Sequence, residues 1–590
     1  MRQFIKFFLA AFLAVFAALL FVFFVLTGAA LSNGMKEKPV KIKQESILTL
    51  ELNEFIPELT DNIKEDSYEL FGKKHLGLQD MVLAIGQAAQ DPKIKGIYLG
   101  TGSTQNGFAT MRVIRNALVD FKKSGKFVIA NAKGYSQGAY YLASAADEVY
   151  LNPLGYIDLK GFASQVLYFK ELFDNIGLDM QVTYVGDFKS ATEPFRRTNM
   201  SEANRKQVRE FLDDYYDLFL HDVAESRGMS IDDLRKAIDE FAGSAPETAL
   251  DAKLIDGILY TDQVQAKIRE KLSIDEDKNI PQVNLNRYFE SLKKPKLKKA
   301  KNIIAVVNAE GTINTSDKNG EVGDKRFIKI LQDIRKNDKI KAVVLRVNSP
   351  GGDALASENI WREVQLTKES GRKVIVSMGN YAASGGYYIS CAADTIVAEP
   401  NTLTGSIGVF MVMPSIHKML TEKLNIYIDT VKTAAFSGGF SPLYNLTEAE
   451  SQLLKNRTEG LYQTFLQRVA DGRGMTKEQV HAIAQGRVWT GRKALEIGLV
   501  DKLGGLDDAL KVAADMSNLP SYVVENYPKI EDKWEQLLKE ITGEDKDDEG
   551  IIKQAISRRQ MGSLYPYYSY MTDMLQADEM QMRLPYIIEF

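Results

Sequence analysis

Ser384 is a serine whose surroundings could make it a nucleophile. It follows the apolar run Val374–Met378 and a small-residue turn, and it precedes the alanine-rich segment that ends at Asp394. This order predicts a strand, a tight turn and a helix, which places Ser384 at the start of the helix. A serine at that position can be a nucleophile, or it can be only a helix N-cap, a role in which Ser is strongly favoured.

A second candidate for chemistry is Asn348-Ser-Pro-Gly351-Gly352-Asp353, which directly follows an apolar run. Glycines at the end of a strand let backbone N–H groups approach a ligand closely, as an oxyanion hole requires. The alternative is a Pro-Gly turn with no further role.

The chain contains an internal repeat that bears on both candidates. Asp91–Leu99 resembles Asn337–Leu345, and Tyr140–Asp147 resembles Tyr387–Asp394. A period this long indicates duplicated domains rather than a solenoid. Gly102–Gly107 of the first half lacks the Pro-Gly-Gly sequence, so that turn is not needed merely for folding.

The repeat also indicates a composite site. It places Ser384 opposite Gln137, which has no hydroxyl, and it places Lys189 opposite Phe436. A lysine at its ordinary pKa of about 10.4 is protonated at neutral pH, but burial lowers that pKa. Phe188 and Phe195 could supply the apolar walls, and a neutral Lys189 could then accept the proton of Ser384.

Other serine motifs give weaker hypotheses. Gly134-Tyr-Ser136-Gln-Gly138 fits the nucleophile-elbow pattern, but no oxyanion motif accompanies His221, the nearest downstream histidine. Ser-x-x-Lys occurs at Ser370–Lys373 and Ser415–Lys418 without the other motifs of penicillin-binding proteins, so we interpret both as chance matches.

Strands and helices must position these residues, and segments typical of the two alternate along each half. Helical segments separate short apolar runs, which predicts a mainly parallel α/β sheet covered by helices. Two long helices are predicted late in the halves, near Glu202–Arg227 and Thr447–Arg473. The predicted strands are Ile97–Leu99, Phe127–Ala130, Val149–Leu151, Ile303–Val307, Ala342–Val347, Val374–Ser377 and Thr395–Ala398.

Composition limits the class of protein. The 590 residues predict three or four structural units at about 150 residues each, and 45% apolar with 26% charged residues is typical of a globular protein. The net charge of −4 gives no support for a nucleic-acid partner. One cysteine, Cys391, excludes an intrachain disulfide and a multi-cysteine zinc site, and the four histidines are scattered. We therefore set metal chemistry aside, and we expect no organic cofactor either.

The N-terminus predicts a membrane anchor. No charged residue occurs from Phe7 to Leu31, which is longer than the roughly 20 residues that span a bilayer. A signal peptide has an apolar core of only about 7–15 residues, although Thr27-Gly-Ala-Ala30 offers a small-residue cleavage site. Four lysines follow the segment closely, which favours a cytoplasmic body, but large domains translocate largely regardless of such charges.

Together these motifs resemble the double-length members of the signal peptide peptidase A family, serine proteases with a ClpP/crotonase-like fold. The resemblance covers roughly residues 45–520. It is carried by Asn348–Gly352, Ala383–Gly386, Leu403–Gly408 and Gly186–Phe195.

The resemblance implies a role for each site residue. Ser384 would be the nucleophile, Lys189 the general base, and Ser406 the residue whose hydroxyl orients the lysine amine. Backbone N–H groups of Gly385 and of Gly351 or Gly352 would form the oxyanion hole.

The expected organisation is an N-terminal transmembrane helix in residues 1–35 followed by two tandem ClpP/crotonase-like repeats with mainly parallel sheets. The first repeat covers residues 45–292, a basic linker covers 293–301, and the second repeat covers 302–520. Residues 521–590 are an extension of unknown role.

The expected function is a membrane-anchored serine endopeptidase that degrades hydrophobic peptides, such as signal peptides left after preprotein processing. The resemblance further implies a homotetramer in the bacterial inner membrane with its catalytic body on the periplasmic side. Two alternatives remain open. A crotonase-like acyl-CoA enzyme would use carboxylates with the same oxyanion hole, and a non-catalytic membrane-tethered scaffold would tolerate Ser384→Ala.

Overall fold

A computed structural model describes residues 7–8, 41–62, 75–292, 301–315, 320–530 and 581–583. The predicted N-terminal anchor lies almost wholly outside these residues, as does most of the basic linker. Among the helices of the described ranges, none is both long and apolar enough to cross a membrane.

The first half is built on a parallel sheet of six strands, in the order β8-β5-β3-β2-β1-β9. Strand β7 leaves this sheet, and β4 pairs with β6 alone. The strands are β1 Ser46–Leu50, β2 Ile94–Leu99, β3 Phe127–Ala132, β4 Tyr135–Ser136, β5 Glu148–Leu151, β6 Ile157–Asp158, β7 Asp179–Tyr184, β8 Gly257–Ile258 and β9 Gln282–Asn284.

The second half is built on an eight-stranded sheet whose main order is β19-β17-β15-β13-β10-β21. Its pairs are parallel except for β17 with β19. The remaining strands are β10 Ile303–Glu310, β11 Ile313–Asn314, β12 Val322–Gly323, β13 Ile340–Ser349, β14 Gly351–Asp353, β15 Lys373–Ala383, β16 Thr395–Ala398, β17 Leu403–Gly405, β18 Phe410–Ser415, β19 Val488–Thr490, β20 Lys502–Leu503, β21 Val523–Tyr527 and β22 Gln581–Arg583.

Helices cover the sheets. The α-helices are Leu78–Gln90, Phe108–Lys122, Gln137–Ala143, Lys170–Ile176, Glu193–Arg196, Glu202–Arg227, Ile231–Asp239, Pro246–Asp251, Thr261–Leu272, Leu285–Ser291, Asp324–Lys336, Ala354–Glu369, Gly385–Ser390, Glu448–Arg473, Lys477–Ile483, Gly491–Glu496 and Leu506–Met516. Short 3₁₀ turns occur at Ser190–Thr192 and Ala242–Ser244, and a π-helical turn occurs at Met419–Lys423.

All seven predicted strands and both long helices are confirmed. They could be predicted because β-branched runs and helical periodicity are strong local signals. The repeat is visible in matching contacts as well. Tyr140 Oη donates to the Leu254 carbonyl, and Tyr387 Oη donates to the Leu499 carbonyl. The sheet of the second half continues to Tyr527 in β21, beyond the predicted boundary at residue 520.

A third sheet joins the two halves, in the order β12-β11-β14-β22-β18-β7. Strand β7 of the first half pairs antiparallel with β18 of the second along its whole length, from Tyr184 opposite Phe410 to Asp179 opposite Ser415. This pairing carries the residues that follow β7 into the second half.

Candidate active site

Lys189 lies just after β7, where the interdomain pairing delivers it to Ser384 and Ser406. Its Nζ is 2.9 Å from Ser384 Oγ, 3.0 Å from Ser406 Oγ and 3.1 Å from the Ser406 carbonyl oxygen. Each of the three side chains is at least 99% buried. The structure therefore brings together all three side chains that the sequence singled out, from both halves of the chain.

The surroundings of Lys189 are apolar and tight. A Cβ atom on Gly486 would lie 2.6 Å from Lys189 Cβ, and one on Gly408 would lie 3.2 Å from its Cδ. The ring centroid of Phe410 is 5.8 Å from Nζ. Burial lowers the pKa of Lys189 to about 7. A large fraction of this lysine is consequently neutral near pH 7.

The contacts of Lys189 match the hydrogen-bonding capacity of a neutral amine, which has two N–H donors and one lone pair. The two donors can serve the hydroxyl and carbonyl oxygens of Ser406. The lone pair can then accept the O–H of Ser384, which is the arrangement a general base needs.

Ser384 occupies the turn between β15 and the helix Gly385–Ser390, as the sequence predicts. Its φ of 56° and ψ of −114° are uncommon for a non-glycine residue, and its side chain makes no capping hydrogen bond. Backbone bonds fix the turn: Ser384 N–H donates to the Gly405 carbonyl, and the Ser384 carbonyl accepts from Tyr388 N–H, both at 2.8 Å. The N-cap alternative is thus wrong for this hydroxyl, which points to Lys189 instead.

Ser136, at the corresponding helix start of the first half, differs from Ser384 in both backbone and side-chain contacts. It has an ordinary extended backbone, and its Oγ accepts the N–H of Ala139 at the start of the helix Gln137–Ala143. The serine of the G-x-S-x-G motif is a helix cap. Gln137, the counterpart of Ser384 in the repeat, anchors a loop by accepting the N–H groups of Lys160 and Gly161.

The glycines expected to form an oxyanion hole converge beside Ser384. A Cβ atom on Gly385 would lie 3.2 Å from Gly351 Cα and 3.2 Å from Gly352 N. Gly351 and Gly352 begin β14 with φ values of 100° and 159°. The Gly351 N–H donates to Ser349 Oγ at 3.2 Å. The three glycines therefore lie together at the start of the helix that follows Ser384.

Some residues of the site had no separate signal in the sequence. Gly486 and Phe410 enclose Lys189, but neither belongs to a motif that indicates chemistry. Gln207 fixes the lysine loop, since its Nε2 donates to the Phe188 carbonyl at 3.0 Å and its Oε1 accepts from Val488 N at 3.1 Å. Phe188 is half-buried beneath Arg487, whereas Phe195 packs in one cluster with Phe410.

Within the described ranges, no group of three or more His, Cys, Asp or Glu side chains is arranged to hold a metal ion. Burial is the single cause of the lowered pKa of Lys189, with no contribution from a neighbouring charge.

Comparisons with known proteins show similarity to proteases along most of the chain. The profile of peptidase family S49 matches residues 120–275 and 367–520, one segment in each half, and the profile of Clp protease matches residues 295–404. Protease 4 of Salmonella typhi is 36% identical over 549 residues, which are 89% of this chain and 87% of that protein.

Two further relatives match over most of their length. Protease 4 of Haemophilus influenzae is 34% identical, with 84% of this chain and 83% of that protein covered. The chloroplastic serine protease SPPA of Arabidopsis thaliana is 32% identical, with 81% of this chain and 70% of that protein covered.

Proposed function

Because the chain belongs to peptidase family S49 and is a serine protease with a ClpP-like α/β fold, we propose that Ser384 is its nucleophile and Lys189 its general base. The observation that carries this proposal is the 2.9 Å contact between Lys189 Nζ and Ser384 Oγ in an apolar, buried setting. Membership of a peptidase family also argues against the acyl-CoA and scaffold alternatives.

The proposed reaction begins when Ser384 Oγ attacks the carbonyl carbon of a peptide bond while its proton passes to Lys189 Nζ. The N–H groups of Gly385 and of Gly351 or Gly352 stabilise the oxyanion. The Lys189 ammonium then gives its proton to the departing amine, which leaves an ester on Ser384. Water activated by Lys189 hydrolyses that ester and restores both groups.

Ser406 is proposed to orient the lysine. Its hydroxyl and carbonyl oxygens both lie within hydrogen-bond distance of Nζ, so they fix the direction of the remaining lone pair. Ser406 has a φ of 50°, and its N–H donates to the Arg487 carbonyl at 2.7 Å. These constraints hold the serine in place without a charged partner.

We further propose that the substrates are hydrophobic peptides, such as remnant signal peptides, and that the enzyme acts from an N-terminal anchor on the periplasmic side of a bacterial inner membrane. The uncharged segment Phe7–Leu31 and the sequence resemblance support this proposal. The resemblance also leads us to propose a homotetramer, and apolar side chains at the surface support a contact with a partner, which such groups mark when they form a patch. Leu424, Ile426, Tyr427, Val431 and Phe436 are each at least half exposed.

The test of the dyad is hydrolysis of a hydrophobic peptide by the full chain with Ser384→Ala or Lys189→Ala. We expect each variant to lose at least about 10³-fold in kcat with an unchanged circular dichroism spectrum. Ser136→Ala is the matched control, because it removes a serine from the equivalent helix start of the first half, and its kcat should equal that of the wild type. Wild-type turnover by either dyad variant would refute the assignment.

A further inference from the structure

The short segment that leads into β19 is bonded to both parts of the proposed site, which come from different halves of the chain. The Gln485 carbonyl accepts the N–H of Phe188, the residue before Lys189, at 3.0 Å. The Arg487 carbonyl accepts the Ser406 N–H at 2.7 Å. Main-chain bonds from this segment therefore hold both the lysine loop and the serine whose hydroxyl contacts the lysine amine.

The side chain of Arg487 adds a further connection between the same parts. Its guanidinium carbon lies 4.9 Å from the ring centroid of Phe188 and 4.0 Å from that of Trp489. Its Nη2 donates to the carboxylate of Glu210, on the first of the two long helices. We refer to Arg487, Phe188, Trp489 and Glu210 together as the Arg487 cluster.

The contacts of this cluster suit arginine better than lysine. A guanidinium is planar and weakly hydrated, so it can lie against ring faces while its edge pairs with a carboxylate. Within the described residues, Arg487 Nε is buried and makes no hydrogen bond, as expected where rings rather than oxygens surround it. A lysine at this position would keep the positive charge but lose the flat contact with the rings.

The first repeat has no such cluster. The two matching tyrosine contacts fix the register of the repeats in this region. In that register Ala242 stands in place of Arg487, and Ser244 stands in place of Trp489. The fold of a repeat therefore does not need these two side chains, which occur only in the half that carries the proposed nucleophile.

We propose that Arg487 is a positioning residue, which holds Phe188 and with it the lysine loop against the second half, so that Lys189 stays beside Ser384 and shielded from water. This inference rests on the proposed roles of Lys189 and Ser384. Phe188 directly precedes Lys189, so a shift of its ring moves the lysine backbone. Because burial alone lowers the pKa of Lys189, water admitted beside the loop would raise that pKa again.

The first experiment compares the steady-state kinetics of the full chain with those of Arg487→Met and Arg487→Lys. We expect kcat to fall about tenfold or more in both, because small displacements of a reacting group have effects of that size, while KM changes little. The midpoint of the pH profile of kcat/KM should move to higher pH by about half a unit or more. Since Arg487→Lys keeps the charge, a shift in this variant reports the lost ring contacts.

Arg492→Met is the matched control. Arg492 Nη2 lies 2.7 Å from Asp214 Oδ1 on the same long helix, so this pair also connects the two halves but lies outside the Arg487 cluster. The variant should keep the kcat and the pH midpoint of the wild type. Equal losses in Arg492→Met and Arg487→Met would overturn the proposal, because they would show a general loosening of the halves.

A double-mutant cycle tests the ring contact itself. Phe188→Leu should lower kcat as Arg487→Met does. Adding Arg487→Met to Phe188→Leu should then lower kcat by less than about a further twofold, since residues that act as a unit are not additive. Losses that simply multiply would show that the two side chains act independently, and would overturn the proposal.

Wild-type kcat and an unchanged pH midpoint in both Arg487 variants would also overturn it. Failure of the proposed function looks different. In that case Ser384→Ala would retain full peptidase activity, whereas a wrong role for Arg487 leaves Ser384→Ala inactive.

Discussion

At the scale of single residues, the proposed chemistry depends on Lys189, whose pKa is not shifted by a neighbouring charge. Ser406 supplies only neutral oxygens to Nζ. Gly408 and Gly486 lie beside the aliphatic part of Lys189, where a larger side chain would collide with it and move Nζ. Burial alone brings the pKa of Lys189 to about 7, which suits the role of a general base proposed for it near neutral pH.

This pKa predicts the pH dependence of catalysis. Lys189 is a base whose pKa in the folded protein is lowered, so the neutral form grows as pH rises through about 7. The value of kcat/KM should rise about tenfold per pH unit below that pKa and reach a plateau above it. Initial rates between about pH 5 and about pH 9 test this, and a profile that is flat or that falls across neutrality would contradict it.

At the scale of elements, the site depends on how helix Glu202–Arg227 ties the lysine loop to the second half. Gln207 on this helix bonds the Phe188 carbonyl beside Lys189 and the N–H of Val488 in β19. Val488 pairs with Gly405, which precedes Ser406. The buried amide of Gln207 thus links the backbone beside Lys189 to the strand that pairs with the residue before Ser406. A second link is the Phe188 N–H, which donates to the Gln485 carbonyl at 3.0 Å.

Gln207→Leu should therefore impair catalysis more than binding. We expect kcat to fall about 10- to 100-fold, because a displacement near 1 Å at a reacting group has an effect of that size, while KM changes little. The apparent pKa of the rate profile should move as well, which a loss of stability alone would not cause. Gln467→Leu, on an exposed face of helix Glu448–Arg473, is the control and should match the wild type. An unchanged kcat in Gln207→Leu would refute this role.

The sequence predicts the elements better than their long-range partners. β15 and the start of the helix after Ser384 follow from local patterns, and comparison of the repeats separates Ser384 from Gln137. The antiparallel pairing of β7 with β18 has no local signal, because periodicity indicates a strand but does not specify its neighbour. The backbone of Ser384 and the closeness of Gly486 to Lys189 are also set by tertiary contacts, and no pattern in the sequence predicts β22.

At the scale of the whole molecule, a buried ionic cluster connects the halves. Arg346 of β13 donates to both carboxylate oxygens of Glu58, at 2.9 and 3.1 Å, and also to Ser377 Oγ. The Glu58 N–H donates to the carboxylate of Glu310 at 3.0 Å. Burial and the nearby Glu58 charge raise the pKa of Glu310.

Arg346→Met should weaken the packing of the two halves against each other, because it leaves the Glu58 carboxylate buried without its cationic partner. A loss of about 3–5 kcal/mol in the free energy of unfolding is expected, measured as a lower urea midpoint. Arg362→Met removes an exposed pair with Glu369 and should change stability by no more than about 0.5 kcal/mol. A loss below about 1 kcal/mol in Arg346→Met would show that the cluster does not hold the halves together.

The distance along the chain between Lys189 and Ser384 also has a consequence during biosynthesis. The two residues are 195 positions apart. A ribosome that adds about 5–20 residues per second needs roughly ten to forty seconds to travel from one to the other. Throughout that interval the nascent polypeptide contains Lys189 but not Ser384. If Ser384 and Lys189 act as proposed, the growing chain has no cutting centre until the whole first repeat and the second repeat as far as Ser406 have been translated, and until then it cannot cleave itself or its neighbours at the ribosome.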